Sequence, residues 1–408
     1  MIMKKSLISY SVFLFILLGA LTAFGPLVTD MYLPALPGMA NYFSTTASMV
    51  QLGLTTSMIG LAVGQLIFGP LSDKFGRRPL LLASMLVFIV STLLCIYSPN
   101  IETFIALRLL QGIAGAGGIV ISRSVATDMF SGKELAKSMA IIGAINGVAP
   151  VAAPVLGGFF TDIIGWRGIF WILLGIGILL LMAVVRFRES LKPENRKQEG
   201  LKQMFLGFPA MLHNRRYVYF VLQYGFSSGV LFANIASSPF IMQQHYGFSP
   251  MMFSIVFGVN SLAIGIAAAS SVKFHNTESG TFIGSLGMLM FSALLLFALW
   301  LECSFWVYEL LLLAVIFMLG LTFTSSTTLA MDSGRENSGT ASALFGAVGF
   351  AFGGIVSPLV GIGNILTTTG IVFVVCSLFA VFFAVKAVRT SVGMRASLRP
   401  LKHLTKHK

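Results

Sequence analysis

The chain is short of charge. Only 10% of its 408 residues are charged, against 56% hydrophobic, where a soluble domain carries about 25% charged residues. That excludes an ordinary water-soluble enzyme and points to a chain mostly in lipid. Cysteine is scarce too: Cys95, Cys303 and Cys376 sit within or at the ends of apolar runs, with no Cys-x-x-Cys and no metal-ligand spacing. They read as packing residues, so neither a disulfide nor a metal site is expected. The histidines (His213, His245, His275, His403, His407) fall in loops or the tail. No Ser-His-Asp, paired-carboxylate or metal-ligand constellation accompanies them, and an enzyme is not expected. No Gly-x-x-x-x-Gly-Lys-Ser/Thr loop and no soluble segment large enough for a nucleotide domain is present. No cofactor is therefore expected, and no work driven by ATP bound to this chain. Acids are rare as well, which makes Asp30 conspicuous in Leu27-Val-Thr-Asp-Met-Tyr-Leu-Pro-Ala-Leu-Pro37, with Lys5 and Asp73 the nearest charges on either side. An acid in hydrocarbon is costly unless it is paired, protonated or lining water.

What the chain has is apolar length. A membrane-spanning helix takes about 20 mostly apolar residues. Twelve such runs are legible, near 9–37, 49–70, 79–98, 102–127, 138–162, 167–187, 216–241, 250–272, 280–301, 304–331, 338–361 and 366–388. Gly, Pro, Asn or charge closes each, as at Ser98-Pro-Asn100. Lys4 and Lys5 imitate the start of a signal peptide, but Ala20-Leu-Thr-Ala23 does not offer small residues at both cleavage positions and the run continues far beyond it. A retained first helix is expected.

The net charge of +13 is a matter of placement. With the N-terminus cytoplasmic, the inner loops hold Lys74, Arg77, Arg78, Lys133, Lys137, Lys273 and Arg335, the connection after the sixth span holds a dense basic run from Arg186 to Arg216, and the tail holds Arg389 to Lys408. The outer connections hold almost none, Arg167 being the main exception. Lys and Arg collect in cytoplasmic loops, so both termini are expected inside. The positive charge is then topology and not a nucleic-acid footprint, and the tail is a segment drawn to anionic lipid. The expected layout is an N-terminal six-helix half over 1–187, a cytoplasmic linker over 188–215, a C-terminal six-helix half over 216–388 and a basic tail over 389–408. Two six-helix halves with a site near the bilayer middle is a secondary-transporter plan.

Between spans two and three stands Gly69-Pro-Leu-Ser-Asp-Lys-Phe-Gly-Arg-Arg-Pro79. Gly69 and Gly76 permit a very short turn. Asp73 is placed for a helix N-terminus or a cation, and Arg77 and Arg78 for an acid. A basic loop that only fixed topology would need the cations but not this spacing. The stretch resembles the signature loop of the major facilitator superfamily. Arg108-Leu-Leu-Gln-Gly112 with Ala114-Gly-Ala-Gly-Gly118 is similar to that family's fourth-helix motif, with small residues that let backbones approach. Gly147-Val-Ala-Pro150-Val-Ala-Ala-Pro154-Val-Leu-Gly157-Gly158 resembles the motif of its proton-driven exporters, although such a run also serves to kink a helix. Thr29-Asp-Met-Tyr-Leu-Pro-Ala-Leu-Pro37, Trp166-Arg-Gly-Ile-Phe-Trp171 and Ser338-Gly-Thr-Ala-Ser-Ala343 are similar to the bicyclomycin/chloramphenicol-resistance (Bcr/CflA) branch. In the second half Ser270-Ser-Val-Lys-Phe-His275 keeps one Lys of the signature loop and neither its Asp nor its Arg pair.

The resemblance implies an all-α integral membrane fold of 12 transmembrane helices in two halves, and a proton-coupled secondary transporter of the inner membrane. It would export drugs or other small, largely lipophilic molecules by alternating access, most simply as a monomer. Its partners are a small-molecule substrate, protons and the bilayer. A dedicated exporter or importer of one metabolite, such as an amino acid or peptide, stays open. Asp73, with Arg77 and Asp128, is the implied latch of the inner side.

At about 1.5 Å per residue, Asp30 lies about 10 Å inside Pro37, and Arg108 about 9 Å along span four. The two charges are expected at similar depth, paired or released by protonation of the acid. An interfacial Asp30 and an Arg108 packed on carbonyls is the other reading the residues allow. Glu309, early in span ten, is a rival proton site or a snorkelling acid. Tyr32, Gln111, Asn146, Gln223, Tyr224, Asn234 and Asn260 are candidate cavity residues, each equally able to serve as an interhelical hydrogen bond.

Overall fold

The computed structural model describes residues 2–130, 132–196, 207–271, 277–334 and 338–404, and these are helical throughout apart from turns. The long helices are α1 (Ile2–Asp30), α2 (Ala47–Phe75), α3 (Arg77–Ile96), α4 (Ile101–Met129) and a segment Gly132–Arg186. That segment has 55 residues, about 80 Å at the helical rise, far more than the roughly 30 Å of a hydrocarbon core. Gly165, at φ 66°, breaks it. The left-handed backbone there suits glycine, and the arms are α5 (132–164) and α6 (166–186). Then follow α7 (Arg215–Phe240), α8 (Pro250–Ser271), α9 (Thr277–Trp300), α10 (Phe305–Ser333), α11 (Ser338–Val356) and α12 (Ile365–Leu404). The twelve helices agree with the twelve apolar runs. Large apolar side chains such as Leu86, Val90, Ile266, Leu310 and Phe382 point outward, as faces turned to lipid require.

The first run differs in one respect that matters. A single helix from 9 to 37 was the expectation, but α1 stops at Asp30. The chain then passes through a 3-10 turn, Leu33–Ala35, into a short helix, Leu36–Tyr42. Pro34 lacks the N–H that would continue the ladder and disfavours α backbone at Leu33. Asp30 is thus the last residue of a helix and not a mid-helix one, and its depth cannot be counted at the α rise from Pro37.

Packing divides the chain into two compact units. One comprises Met1–Phe205, Phe232–Leu262 and Gly353–Ile365; the other comprises Leu206–Leu231, Ala263–Phe352 and Leu366–Lys408. In the first, α2 lies close on α4, because small residues remove what would hold them apart: a Cβ on Gly112 would overlap the Ser57 carbonyl oxygen. The same unit holds α1–α6 together with the parts of α7, α8 and α11 next to the turns after α1, α3, α5, α7 and α11, here termed the distal end. Neutral hydrogen bonds tie that end. The Gln51 amide donates to the Ala236 carbonyl at 2.9 Å, Gln243 to the Pro34 carbonyl at 2.9 Å and the Ser48 hydroxyl to the Pro358 carbonyl at 3.3 Å. In the second unit α9 packs on α10, with Gly284 against the α10 main chain.

Candidate functional site

Arg108, on α4, is fully buried (0% exposed). Its Nη2 donates to the Val28 carbonyl at 3.0 Å and its Nε to the Gly53 carbonyl at 3.4 Å, while Nη1 donates to Gln111 Oε1. Gln111 in turn donates to Thr92 Oγ1 at 2.7 Å, so one polar chain joins α1, α2, α3 and α4. The faces of the guanidinium are covered by Tyr32, 4.4 Å from its ring centroid, and Phe170, at 5.6 Å. The arrangement can hold a cation in apolar surroundings without a carboxylate, through carbonyl dipoles and aromatic faces.

Asp30 is not among the partners of Arg108. The ion pair allowed by the similar depths is therefore absent, because the α1 helix ends at Asp30 and offers Arg108 the main chain of Val28 instead. Asp30 is 6% exposed and occupies a helix C-terminus, where the macrodipole is negative. A carboxylate charge there is expensive, and the Arg108 guanidinium is bound to the Val28 carbonyl of the same turn. Glu309 is buried in the second unit, early in α10, at 8% exposure.

The cavity candidates divide. Gln223 is a hub: its amide nitrogen contacts Ser227 at 3.0 Å, Ser285 at 2.9 Å and Thr322 at 2.6 Å, and its oxygen accepts from Ser326, which cross-links α7, α9 and α10. Tyr224 stacks on Phe345 at 3.9 Å, and Asn234 accepts from Ser238 at 2.6 Å. Those contacts are interhelical or local structure. The buried Tyr32 lies against the Arg108 guanidinium. Asn260 differs, since both its amide atoms are buried without a hydrogen-bond partner among the described residues. Such groups are costly unless something else satisfies them. The side chains of Asn146, Gly147 and Pro150 lie outside the described ones.

At the opposite end, the turn after α2 gathers charge. Arg77 Nη1 meets Asp73 Oδ1 at 2.6 Å and Ser72 Oγ at 2.7 Å, and its Nε meets Asp128 Oδ2 at 2.9 Å. Gly69 packs on Val120, and Gly76, at φ 102°, makes the turn. The sequence reading missed two residues here. Glu189 accepts from the main-chain N–H of Arg77 at 2.9 Å and of Arg78 at 3.1 Å, and Ser190 donates to Asp128 at 3.0 Å. Glu189 thereby caps α3, whose first N–H groups have no intrahelical acceptor. Arg78 reaches the Val185 carbonyl at 2.8 Å. Three acids, Glu189, Glu194 and Glu199, stand among the cations after the sixth span, and nothing in the sequence singles out the first. Glu189→Ala is expected to cost about 1 kcal/mol, the worth of a helix cap, seen as a lower melting temperature of the purified protein; an unchanged one would refute the cap.

In α5, Pro154, Gly157 and Gly158 are buried. The two glycines face different elements: a Cβ on Gly157 would overlap the Met31 carbonyl oxygen in the turn after α1, and one on Gly158 would overlap Ser254 Oγ of α8 and lie 2.7 Å from the Pro250 carbonyl oxygen.

A family model described as Major Facilitator Superfamily matches residues 16–358. The chain belongs to the Major Facilitator Superfamily. Within it, the chain is 38% identical to the MFS-type transporter YdgK of Bacillus subtilis strain 168, over 85% of this chain and 88% of that one. It is 30% identical to a bicyclomycin resistance protein homolog of Haemophilus influenzae strain Rd, over 91% and 96%. That likeness bears out the branch read from Thr29–Pro37. The fold is likewise that of the superfamily: the xylose transporter XylE of E. coli, in a partially occluded inward-open conformation, superposes with a TM-score of 0.72 at 17% identity, over 93% of this chain and 98% of that one. The superfamily is one of transporters of small molecules, and this member crosses the membrane many times.

Proposed function

We propose that this superfamily member exports drugs or other small, largely lipophilic molecules from the cytoplasm across the inner membrane, in exchange for protons. The observation that carries the reading is Asp30, buried at the end of α1 within the turn that binds the charge of Arg108, in a chain similar over nine-tenths of its length to a bicyclomycin resistance protein homolog. Both termini and the Arg77 cluster then face the cytoplasm, and the distal end faces outward.

The cycle follows from the residues. Arg108 stays charged throughout, since carbonyls and rings satisfy it in place. Asp30 is the group free to change: as a carboxylate it leaves the site open to substrate, and a proton arriving from outside neutralises it and drives release. The distal hydrogen bonds must part for that proton to enter and the substrate to leave. The Asp73–Arg77–Asp128 cluster then serves as the latch of the inner side. Each charge moved is worth about 2.3 kcal/mol per 100 mV of potential.

Proteoliposomes holding an internal pH dye test the reading against a panel of drugs, amino acids and peptides, with Asp30→Asn beside the wild type. Expected is solute-induced proton movement in the wild type for lipophilic drugs and none in the mutant. Coupling that persists in Asp30→Asn would move the proton site to Glu309. A response confined to one metabolite would establish the dedicated transporter instead.

A further inference from the structure

Six aromatic rings stand in line between two arginines in the first unit. At the distal surface the exposed Arg167 lies over Tyr42 and Trp166, at 4.8 and 5.1 Å from their ring centroids. Trp166 meets Phe43 at 5.5 Å, Phe104 at 5.9 Å and Phe170 at 6.0 Å. Phe170 meets Phe104 at 5.4 Å and Tyr32 at 5.8 Å, and Tyr32 and Phe170 cover Arg108. The rings come from the turn after α1 (Tyr32), the end of the short helix Leu36–Tyr42 (Tyr42, Phe43), the first turn of α4 and the first turns of α6. A membrane-interface belt turns its Trp and Tyr toward the headgroups. Tyr42 is exposed at the surface, but the inner rings turn inward: Trp166 is buried, and Tyr32, Phe104 and Phe170 are wholly so.

We propose that this column is an insulator, in which Trp166 and Phe170 are positioning residues that keep outer water from Arg108 and Asp30, so that a proton reaches Asp30 only through the transport cycle. The inference rests on Asp30 as the coupling acid and adds what keeps the coupling tight. An exchanger that let protons reach its acid directly from outside would dissipate the gradient without moving substrate. The distal face of the Arg108 pocket is the short way in, and the rings fill it. Their removal has a definite consequence. The hole left by Phe170 would border the Arg108 guanidinium and the buried Tyr32 side chain with its hydroxyl. Water enters a cavity with polar partners and stays out of an apolar one. Removing Trp166 as well would extend that water to the surface beside Arg167.

The test is proton leak into proteoliposomes of the full chain under an imposed acid-outside gradient, with no solute added. Wild type is expected to be tight. Phe170→Ala, and more so Phe170→Ala with Trp166→Ala, are expected to acidify the lumen faster, and Asp30→Asn in the same backgrounds is expected to abolish the gain. Trp166→Phe and Phe170→Leu, which keep the space filled, are expected to stay tight. Where Phe170→Ala does not fold, Phe170→Val replaces it, with the same readings. A variant as tight as wild type overturns the insulator, and so does a leak that Asp30→Asn leaves in place, which would be a hole unconnected with the site. The leak needs no substrate, so an Asp30-dependent leak upholds the insulator even where no solute on the panel moves protons. Conversely, solute-driven coupling in wild type with a tight Phe170→Ala overturns the insulator and leaves the exchange reading standing.

Discussion

Gly158→Val is expected to yield folded protein that fails to close its distal end and no longer transports. A side chain at 158 would overlap Ser254 Oγ and press on the Pro250 carbonyl oxygen. That oxygen is main chain in the first turn of α8, fixed further by the Ser254 hydroxyl that donates to it at 2.8 Å. It cannot rotate aside as a side chain would, and overpacking of this kind costs about 1–3 kcal/mol. Where the cost falls depends on what moves. Gly157 meets Met31, and both lie among the first six helices, so strain at 157 is present in every state and is expected as lost folded protein. Gly158 meets α8, from the other half of the helix order, and its strain is relieved when the distal ends part. About 2 kcal/mol displaces such an equilibrium roughly thirtyfold. Ala236→Cys, at a fully buried site beside the Gln51 bond, reports it in a background freed of Cys95, Cys303 and Cys376. A membrane-impermeant maleimide is expected to react slowly with Gly158 present and quickly with Gly158→Val. Equal rates would make the glycine a packing residue without a part in closure.

The division between what was legible and what was not follows the kind of atom that makes each contact. Asp73, Arg77 and Asp128 meet through their side chains, and side chains are what a motif records. Glu189 is 112 residues from Arg77 and bonds to its main-chain N–H, a group nearly every residue offers, so no pattern in the chain announces the partnership. Arg108 stood out as a charge committed to a span, but its carbonyl partners at Val28 and Gly53 carry no residue identity either. That is why a pair of opposite charges at similar depth looked natural and is not what the chain forms. The end of α1 was only partly within reach: Pro34 disfavours the continuous helix that the apolar run suggests, but α1 passes through Pro26 unbroken, and hydrophobicity alone cannot tell one α-helix from the 3-10 turn and short helix after Asp30. The aromatic column lay half in view. Trp166 to Trp171 reads as a branch motif, while its contacts with Phe43 and Phe104 arise only once the short helix Leu36–Tyr42, α4 and α6 come together.

Arg77→Met is expected to lower stability by about 3 kcal/mol, in the range for removing one member of a buried ion cluster, and to abolish transport. The guanidinium holds Asp73 and Asp128 at once and donates to Ser72 besides. Its removal takes the shared cation from two carboxylates, Asp73 and Asp128, whose side chains are 29% and 15% exposed. The penalty is then chiefly electrostatic, which makes it reversible by a second substitution. Asp128→Asn in the Arg77→Met background is expected to recover part of the loss, although alone it should destabilise. Arg77→Lys is expected to fall between, since one ammonium lacks the planar fork that reaches both acids. Thermal unfolding of the wild type and the four variants, purified in one detergent, decides the matter. If Asp128→Asn recovers nothing, the weight of Arg77 lies in its packed stem and the cluster is not a charge latch. The helix cap does not confuse the comparison. Glu189 bonds the main-chain N–H of residue 77, which methionine also supplies, so the cap persists and the drop measured belongs to the guanidinium and its two acids.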